Sequence, residues 1–355
     1  MAWSKLDRVL AALSGEKPDR TPIFDYLIHD GVFEHYLGRP VVPGEQEAIL
    51  RASSECLDLC HPMPVAYEPR EEVSPDGVKS VYERWMVWNV YPERSGEELS
   101  GSIKGEIEQM GEPDGKKTAS DAAVWKEDAA RKKEWSGEMV YISLGLSVPF
   151  LPGRNITEES LCLSDFPELC GIWNRLALRS ALASVCARAD SRLSPVAIIW
   201  NDVAMKGGLI YPPEVLEKYF FPGLNEMVSI LHSKGIKVIF HSDGDVGPVF
   251  DRLVKCGIDG FNPLEISAGM SASRFFGDYG EKVTLVGGMD AVGVLALGGP
   301  RQVAEAAAGL MDGAGKDGRF IIGSTSGQID NGMPLENVFA YFNAVWEYEG
   351  GRNRW

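Results

Sequence analysis

The stretch KVIFHSDGD, residues 237–245, decides the fold, because a short apolar run typical of a buried strand leads directly into titratable side chains. The same pattern returns in GIDGFNPLE, residues 257–265, where an apolar run ends at Glu265. His241, Asp243 and Glu265 therefore follow two successive strands. If the two strands are neighbours in one sheet, one imidazole and two carboxylates meet in a single pocket.

Similar apolar runs alternate with helical patterns along the rest of the chain, which is typical of parallel strands buried on both faces. Eight such runs favour a TIM-type (β/α)8 barrel over an open doubly wound sheet, and in that barrel the chemistry lies where the strands end. The six further runs lie at residues 23–26, 56–67, 139–147, 195–202, 283–290 and 319–324.

We predict one barrel domain over residues 1–355, with an N-terminal helical lead-in at Lys5 to Leu13. Between about residues 71 and 138 the composition changes. Val78 to Val90 alternates like a β-hairpin, and charged and Gly-rich residues follow it. We interpret this segment as an insertion in the barrel and not as a separate domain.

The overall charge excludes several classes of partner. The formal net charge is −16 and there is no basic block, which disfavours nucleic acid and anionic membranes as partners.

No stretch approaches the roughly 18 apolar residues that crossing a bilayer requires, and the N-terminus lacks the apolar run of a signal peptide. We therefore expect a cytoplasmic protein without a membrane segment. The six scattered cysteines are expected to be reduced packing residues.

The strand ends form an acidic rim with few lysines or arginines, which favours a bound cation. Imidazole and carboxylate ligands suit zinc better than magnesium, and we predict His241, Glu265 and Asp243 as metal ligands. Two of these residues also have structural interpretations. His241 can hydrogen-bond a neighbouring strand, and Asp243 can cap the helix that begins near Pro248.

Asp202 follows the apolar run at residues 195–202 and is predicted to act as a general acid or as a hydrogen-bond acceptor for substrate. No GxGxxG opens a helix after a strand, and the motifs of P-loop enzymes, serine hydrolases and HExxH zinc peptidases do not occur in the sequence. Trp200 is more often a core residue, and the glycines before Asp290 can simply form a tight turn. The predicted substrate contacts are Trp200, Asn201, Asp290 and Ser326.

The order and spacing of these motifs resemble the uroporphyrinogen decarboxylase superfamily over nearly the whole chain. That family has a TIM-type barrel, and the resemblance also implies a possible homodimer. The motifs that carry the resemblance are RVLAALSGEKPDRTP at 8–22, FHSDGD at 240–245, GIDGFNPLE at 257–265 with AGM at 268–270, GGMD at 287–290 and PLEN at 334–337.

The resemblance covers two kinds of enzyme. The true decarboxylases carry an Arg-rich motif shortly after the N-terminal helix, whereas IFDYLIHDG at residues 23–31 contains no arginine. An acidic rim would also repel a substrate with many carboxylates. Both points argue against decarboxylation of uroporphyrinogen.

The second kind are cobamide-dependent methyltransferases, which use zinc and a corrinoid protein partner. Members that act on thiols carry a His-x-Cys pair and a later cysteine. Here His241 matches the histidine, Asp243 stands in place of the cysteine, and Ser324, Thr325 and Ser326 occupy the later position. Without thiolate ligands, zinc would be a stronger Lewis acid for an ether oxygen.

The resemblance therefore implies an O-demethylase methyltransferase, which transfers methyl from a small methoxylated compound, favoured as aromatic, to the cobalt of a corrinoid protein. Asp202 would orient or protonate the departing oxygen, and Trp200 would hold the ring. Two alternatives stay open. One is a decarboxylase or another metal-dependent lyase on the same scaffold, and the other is a non-catalytic relative that binds a small ligand.

Overall fold

The lead-in helix is present in the computed structural model, which describes residues 3–61, 65–314, 318–325 and 327–348. It begins with a capping box, in which the Ser4 hydroxyl accepts from the Asp7 N–H (3.1 Å) and the Asp7 carboxylate accepts from the Ser4 N–H (3.0 Å). It ends at Gly15, which has a φ of 81° that favours glycine. The predicted N-terminal helix is therefore confirmed, with both ends fixed by local sequence.

The helices and strands alternate along most of the chain. The helices are α1 (Lys5–Ser14), α2 (Asp30–Leu37), α3 (Gln46–Cys56), α4 (Gly96–Gln109), α5 (Gly115–Trp135), α6 (Ile156–Asp165), α7 (Pro167–Arg188), α8 (Pro213–Val215), α9 (Phe221–Ser233), α10 (Phe250–Lys255), α11 (Ala272–Tyr279), α12 (Pro300–Gly313) and α13 (Leu335–Tyr348). The strands are β1 (Phe24–Ile28), β2 (Leu59–Cys60), β3 (Arg70–Val73), β4 (Lys79–Tyr82), β5 (Val87–Val90), β6 (Val140–Tyr141), β7 (Leu144–Leu146), β8 (Val196–Trp200), β9 (Ala204–Met205), β10 (Gly208–Leu209), β11 (Lys237–His241), β12 (Gly260–Asn262), β13 (Thr284–Met289), β14 (Phe320–Ser324) and β15 (Gln328–Asp330).

Two parallel sheets carry the strands of the predicted barrel. One has the order β14-β13-β12-β11-β8-β7, and the other has the order β15-β1-β2-β6. On one side, β6 and β7 follow each other within residues 140–146. On the other side, Ile23 forms a parallel bridge with Ile322. This order confirms the predicted barrel-like α/β fold.

The strand residues separate into an inner and an outer core. The inner cluster contains Phe24, Ile198 and Ile239 from different strands, together with residues of α1 at the amino-terminal end. The outer cluster contains neighbours such as Ile199 and Phe240, which pack against the surrounding helices. Because side chains alternate along a strand, the residues two positions beyond Ile198 and Ile239 also face inward, at the carboxyl end of the strands.

The insertion forms a small antiparallel sheet and two helices. The predicted hairpin is confirmed as β4 and β5, and β3 joins it as a third strand that the pattern did not predict. The charged residues that follow form α4 and α5. Asp30 at the start of α2 accepts from Arg84 of the hairpin turn (2.9 Å), which attaches the sheet to the barrel. The assignment of residues 1–355 to a single domain stays a prediction.

α6 and α7 are separate helices, because Pro167 lacks an N–H and begins a new helix. One strand boundary differs from expectation. The strand expected over Cys56 to Tyr67 is only β2, since Cys56 still belongs to α3; residues 62–64 lie outside the described part.

All six cysteines are free, and Cys186 alone among them is exposed. None of the helices in the described ranges has the length and apolarity needed to cross a membrane.

Candidate metal centre at the carboxyl end of the strands

The side chains of Trp200, His241 and Asn262 lie at one level, where β8, β11 and β12 end. His241 is paired in register with Trp200 on one side and with Asn262 on the other. Residues in register on parallel strands point to the same face, so these side chains face the inside of the barrel together. The two strands that follow each other in the sequence, β11 and β12, are thus neighbours in the sheet.

Asn262 orients the imidazole of His241. The Asn262 Oδ1 lies 2.7 Å from His241 Nδ1, and the Asn262 Nδ2 donates to the carbonyl of Val286 (2.8 Å). Because the amide nitrogen is used on Val286, the oxygen faces the ring and His241 Nδ1 carries the proton. The Nε2 lone pair is then directed away from Asn262, which is the arrangement found when an imidazole binds a metal.

Asp202, His241 and Asp243 form the cluster in which a cation can be held. Each offers one ligand atom, and these atoms lie within 4.8 Å of one another. His241 Nε2 is 3.8 Å from Asp243 Oδ1. The backbone N–H of Asp243 donates to Asp202 Oδ1 (3.0 Å), which fixes the two carboxylates beside each other. One nitrogen and two oxygens are a ligand set that zinc accepts.

The charge of this cluster also favours a cation. Burial by the surrounding walls raises the pKa of Asp243, although 54% of its side chain is exposed. His241 lowers this pKa, whereas the carboxylates of Asp202 and Glu265 raise it further. Neighbouring carboxylates disfavour one another's ionised form, so a bound cation would relieve the repulsion between them.

Glu265 lies next to the cluster but is engaged elsewhere. Its Oε2 accepts from the Gly244 N–H (2.7 Å), and its Oε1 accepts from the Ser267 hydroxyl (2.7 Å). Both oxygens therefore hold the loops that follow β11 and β12. Among the residues that the structure describes, the group within ligand distance contains Asp202 and not Glu265. The assignment of Glu265 as a metal ligand stays a prediction.

The other predicted site residues have local partners. The Asn201 side chain accepts from the Val148 N–H (2.9 Å) and donates to its carbonyl (3.1 Å), which ties β8 to the end of β7. Asp290 accepts from the N–H groups of Val292 (3.1 Å) and Gly293 and so caps the π-helical turn that follows β13. Ser326 lies outside the described residues. Their roles as substrate contacts stay predictions.

An aromatic wall borders the cluster, and one of its members was not among the predicted site residues. The His61 ring stacks on Trp200 with 4.5 Å between the ring centres and 12° between the planes. It also contacts Tyr26 edge-on at 5.0 Å and His241 at 6.5 Å. His61 directly follows β2, so the rule that selects polar residues at strand ends applies to it as well. Asn262 has the same signal, since it is the last residue of β12.

Comparison with known proteins agrees with this architecture. Residues 195–348 match the family model described as uroporphyrinogen decarboxylase (URO-D), and this part runs from β8 to α13 and includes the whole cluster. A methyltransferase from Methanosarcina mazei shares the fold, with a TM-score of 0.62 and 19% identity over 98% of this chain and 99% of that chain. The comparison with curated proteins returned no match. The resemblance seen in the motifs is therefore confirmed, and residues 195–348 are the part of the chain that matches the family model.

Proposed function

We propose that this chain is a corrinoid-dependent methyltransferase, which transfers methyl from a small methoxylated aromatic compound to the cobalt of a corrinoid protein. Its metal would be zinc, held by His241, Asp202 and Asp243. The observation that carries the proposal is the cluster itself, a nitrogen-and-oxygen ligand set without sulfur at the carboxyl end of the strands. The family domain and the fold shared with a methyltransferase support the reaction class.

The residues present fit zinc by their chemistry. Asn262 keeps the proton on His241 Nδ1, which leaves Nε2 available as a ligand. Two carboxylates beside it supply oxygen ligands and negative charge. A thiolate-free set of this kind leaves zinc more electron-poor, and bound there it would supply Lewis acidity toward an ether oxygen.

The protein's own groups would position the substrate and the ligands. The aromatic wall of Tyr26, His61 and Trp200, in which the His61 and Trp200 rings are nearly parallel, offers ring surfaces against which an aromatic substrate can pack. Glu265 holds the Gly244 backbone, and Asp243 holds Asp202, so the loops around the cluster are ordered before substrate binds. Ordering these groups in advance lowers the cost of reaching the reactive geometry.

The rim around the cluster has apolar side chains that a protein partner could cover. Met205, Ile266, Val292 and Leu297 are exposed by 49%, 48%, 67% and 78%, and all follow the carboxyl ends of β8, β12 or β13. Apolar side chains exposed after the carboxyl ends of the strands can contribute to an interaction surface. They support the proposal that a corrinoid protein approaches the substrate from this side.

A decarboxylase-type lyase is the second candidate, and the family domain is the observation that favours it. The carboxylates of Asp202, Asp243 and Glu265 argue against it, because they would repel a substrate that carries several carboxylates. We therefore rank methyl transfer above decarboxylation.

The first test measures zinc in protein purified without chelator. We expect close to one zinc per chain in the wild type and its loss in His241→Ala. His232→Ala is the matched control, because His232 pairs with Asp259 on the outside of the barrel (2.7 Å) and should leave the zinc content unchanged. Equal zinc content in all three proteins would contradict the assigned centre.

The second test measures the reaction. Wild-type protein, methoxylated aromatic compounds and a reduced corrinoid protein are incubated together, and the absorbance of methyl-cobalt is followed. We expect it to form with the wild type and His232→Ala but not with His241→Ala. Release of carbon dioxide from a carboxylated substrate, without methyl-cobalt formation, would reverse the ranking of the two candidates.

A further inference from the structure

A groove lies along one side of α7, away from the metal centre. Trp173, Ala177, Ala181, Ser184 and Arg188 follow one another at intervals of three or four residues, so they share one side of this helix. Together with the end of β7 and Met227 of α9, they line a cavity of about 460 Å³. None of the residues of the metal cluster lines it. The volume falls within the range of small-ligand pockets.

Arg188 lines this groove and has no carboxylate partner among the described residues. The side chain is partly buried, and its Nε donates only a long hydrogen bond to the carbonyl of Ser184 (3.4 Å). Its guanidinium carbon lies 5.8 Å from the centre of the Trp125 ring. No carboxylate of the described residues forms an ion pair with it, in contrast to Arg179 on the same helix, which pairs with Glu112.

The missing counter-ion has an energetic consequence. Burial lowers the pKa of Arg188, and no neighbouring carboxylate raises it again. A partly desolvated cation without an anion is unfavourable, and a ligand that brings one negative charge into the groove would compensate it. The lining beside it includes partly exposed apolar side chains, among them Met110, Pro149 and Ala181. These side chains favour a ligand with a hydrocarbon body over a bare inorganic anion.

We propose that the α7 groove is a second binding site, which takes a small amphiphilic carboxylate with its head group on Arg188 and its chain along the partly exposed Met110 and Ala181. A single negative charge suits the site, because the chain as a whole carries a formal charge of −16 and repels multiply charged anions. The Ser184 side chain, one helical turn before Arg188, adds a hydroxyl that can donate to the same head group.

The proposal is tested by calorimetric titration of the full chain with octanoate. We expect saturable binding of one octanoate per chain, weakened at least about tenfold in Arg188→Gln through loss of a charged hydrogen bond. Ala181→Leu fills the groove without removing the charge and should weaken binding as well. Arg179→Gln removes a surface arginine from the same helix and should bind like the wild type.

Two further titrations complete the design. Octanol lacks the carboxylate and inorganic phosphate lacks the chain, so each should bind more weakly than octanoate. Circular dichroism establishes that each variant is folded. Equal octanoate binding by Arg188→Gln and wild type would overturn the proposal, and so would the absence of saturable binding to the wild type.

Discussion

At the scale of single residues, the site depends on Asn262 as much as on the ligands themselves. Its amide fixes the proton of His241 on Nδ1 and is itself fixed by the Val286 carbonyl. We expect Asn262→Ala to weaken zinc binding by about 10- to 100-fold, the usual effect of removing a partner that orients a metal-binding imidazole. The affinity is measured by competition with a zinc chelator.

The control for this prediction is Asn201→Ala. Asn201 is only partly buried, whereas Asn262 is fully buried, but it also links two strands, and its side chain contacts Val148 and not the His241 ring. This variant should lose stability, by about 1–3 kcal/mol for the unpaired backbone groups, and keep its zinc affinity. A similar loss of affinity in both variants would mean that Asn262 acts only through general stability.

Asp25 gives a prediction for the pH dependence of stability. Its carboxyl group is fully buried, and this burial raises its pKa to about 7, although the Ser324 hydroxyl (2.6 Å) and N–H lower it. Because the pKa is higher in the folded chain than in the unfolded chain, the stabilising contribution is present below about pH 4 and is lost as the pH rises through about 7. The loss is at most about 4 kcal/mol, since one pKa unit corresponds to about 1.4 kcal/mol.

The side chain in Asp25→Asn cannot ionise, so the free energy of unfolding of this variant should lack the loss that ionisation of Asp25 causes. We expect wild type to lose stability relative to the variant between pH 5 and pH 8, measured as the free energy of unfolding in urea with chelator present. A difference between the two proteins that is the same at both pH values would show that Asp25 titrates normally.

At the scale of elements, the loop that follows β11 requires a glycine at position 244. Gly244 has a φ of 83°, and a Cβ there would collide with the backbone of Ala204 and Met205 in β9. We expect Gly244→Ala to destabilise the fold by about 3 kcal/mol or more, because strain and collision add. The free energy of unfolding measures this effect. Gly269→Ala is the matched control, since Gly269 has a φ of 98° in open space and should lose only about 1 kcal/mol.

The helices and strands were largely predictable, because a strand that is buried on both faces has a continuous apolar run in the sequence. The apolar runs that end at His241 and near Glu265 became neighbouring strands, and the hairpin at Val78 to Val90 was found. β3 was missed because its residues, REEV at 70–73, are all exposed and show no apolar alternation. Local apolar pattern cannot predict a strand that is held by its backbone partner and by polar contacts such as Lys79 with Glu71 (2.9 Å).

The individual residues of the site could be predicted from the sequence, but which of them lie together in space could not. Asp202, His241 and Asp243 were each selected as polar residues at a strand end. That Asp202 joins the other two depends on β8 lying directly beside β11, and the helices between these strands hide that order in the sequence. The engagement of Glu265 with Gly244 and Ser267 depends in the same way on the shape of two loops.

At the scale of the whole molecule, contacts on several segments hold the insertion to the barrel, and two of them are centred on carboxylates outside the insertion. One is near α6, where the Glu158 carboxylate pairs with Arg94 (2.6 Å) and Arg154 (2.8 Å). The other is the hairpin turn, where Asp30 accepts from Arg84 (2.9 Å) and from the Trp85 indole (3.2 Å). The two contacts lie on different segments of the insertion, so the hairpin can open locally while the rest stays attached.

Asp30→Asn should therefore loosen the hairpin without unfolding the barrel. The variant loses the charge that holds Arg84, so we expect amides of β4 and β5 to exchange hydrogen about tenfold faster, which corresponds to about 1.4 kcal/mol of local stability. Mass spectrometry of exchanged peptides localises the effect. Glu72→Gln is the control, because it removes the charge from the exposed pair of Arg70 and Glu72 within the sheet (2.6 Å) and should change exchange little. Faster exchange throughout the barrel strands in Asp30→Asn would mean that the insertion and barrel unfold as one unit.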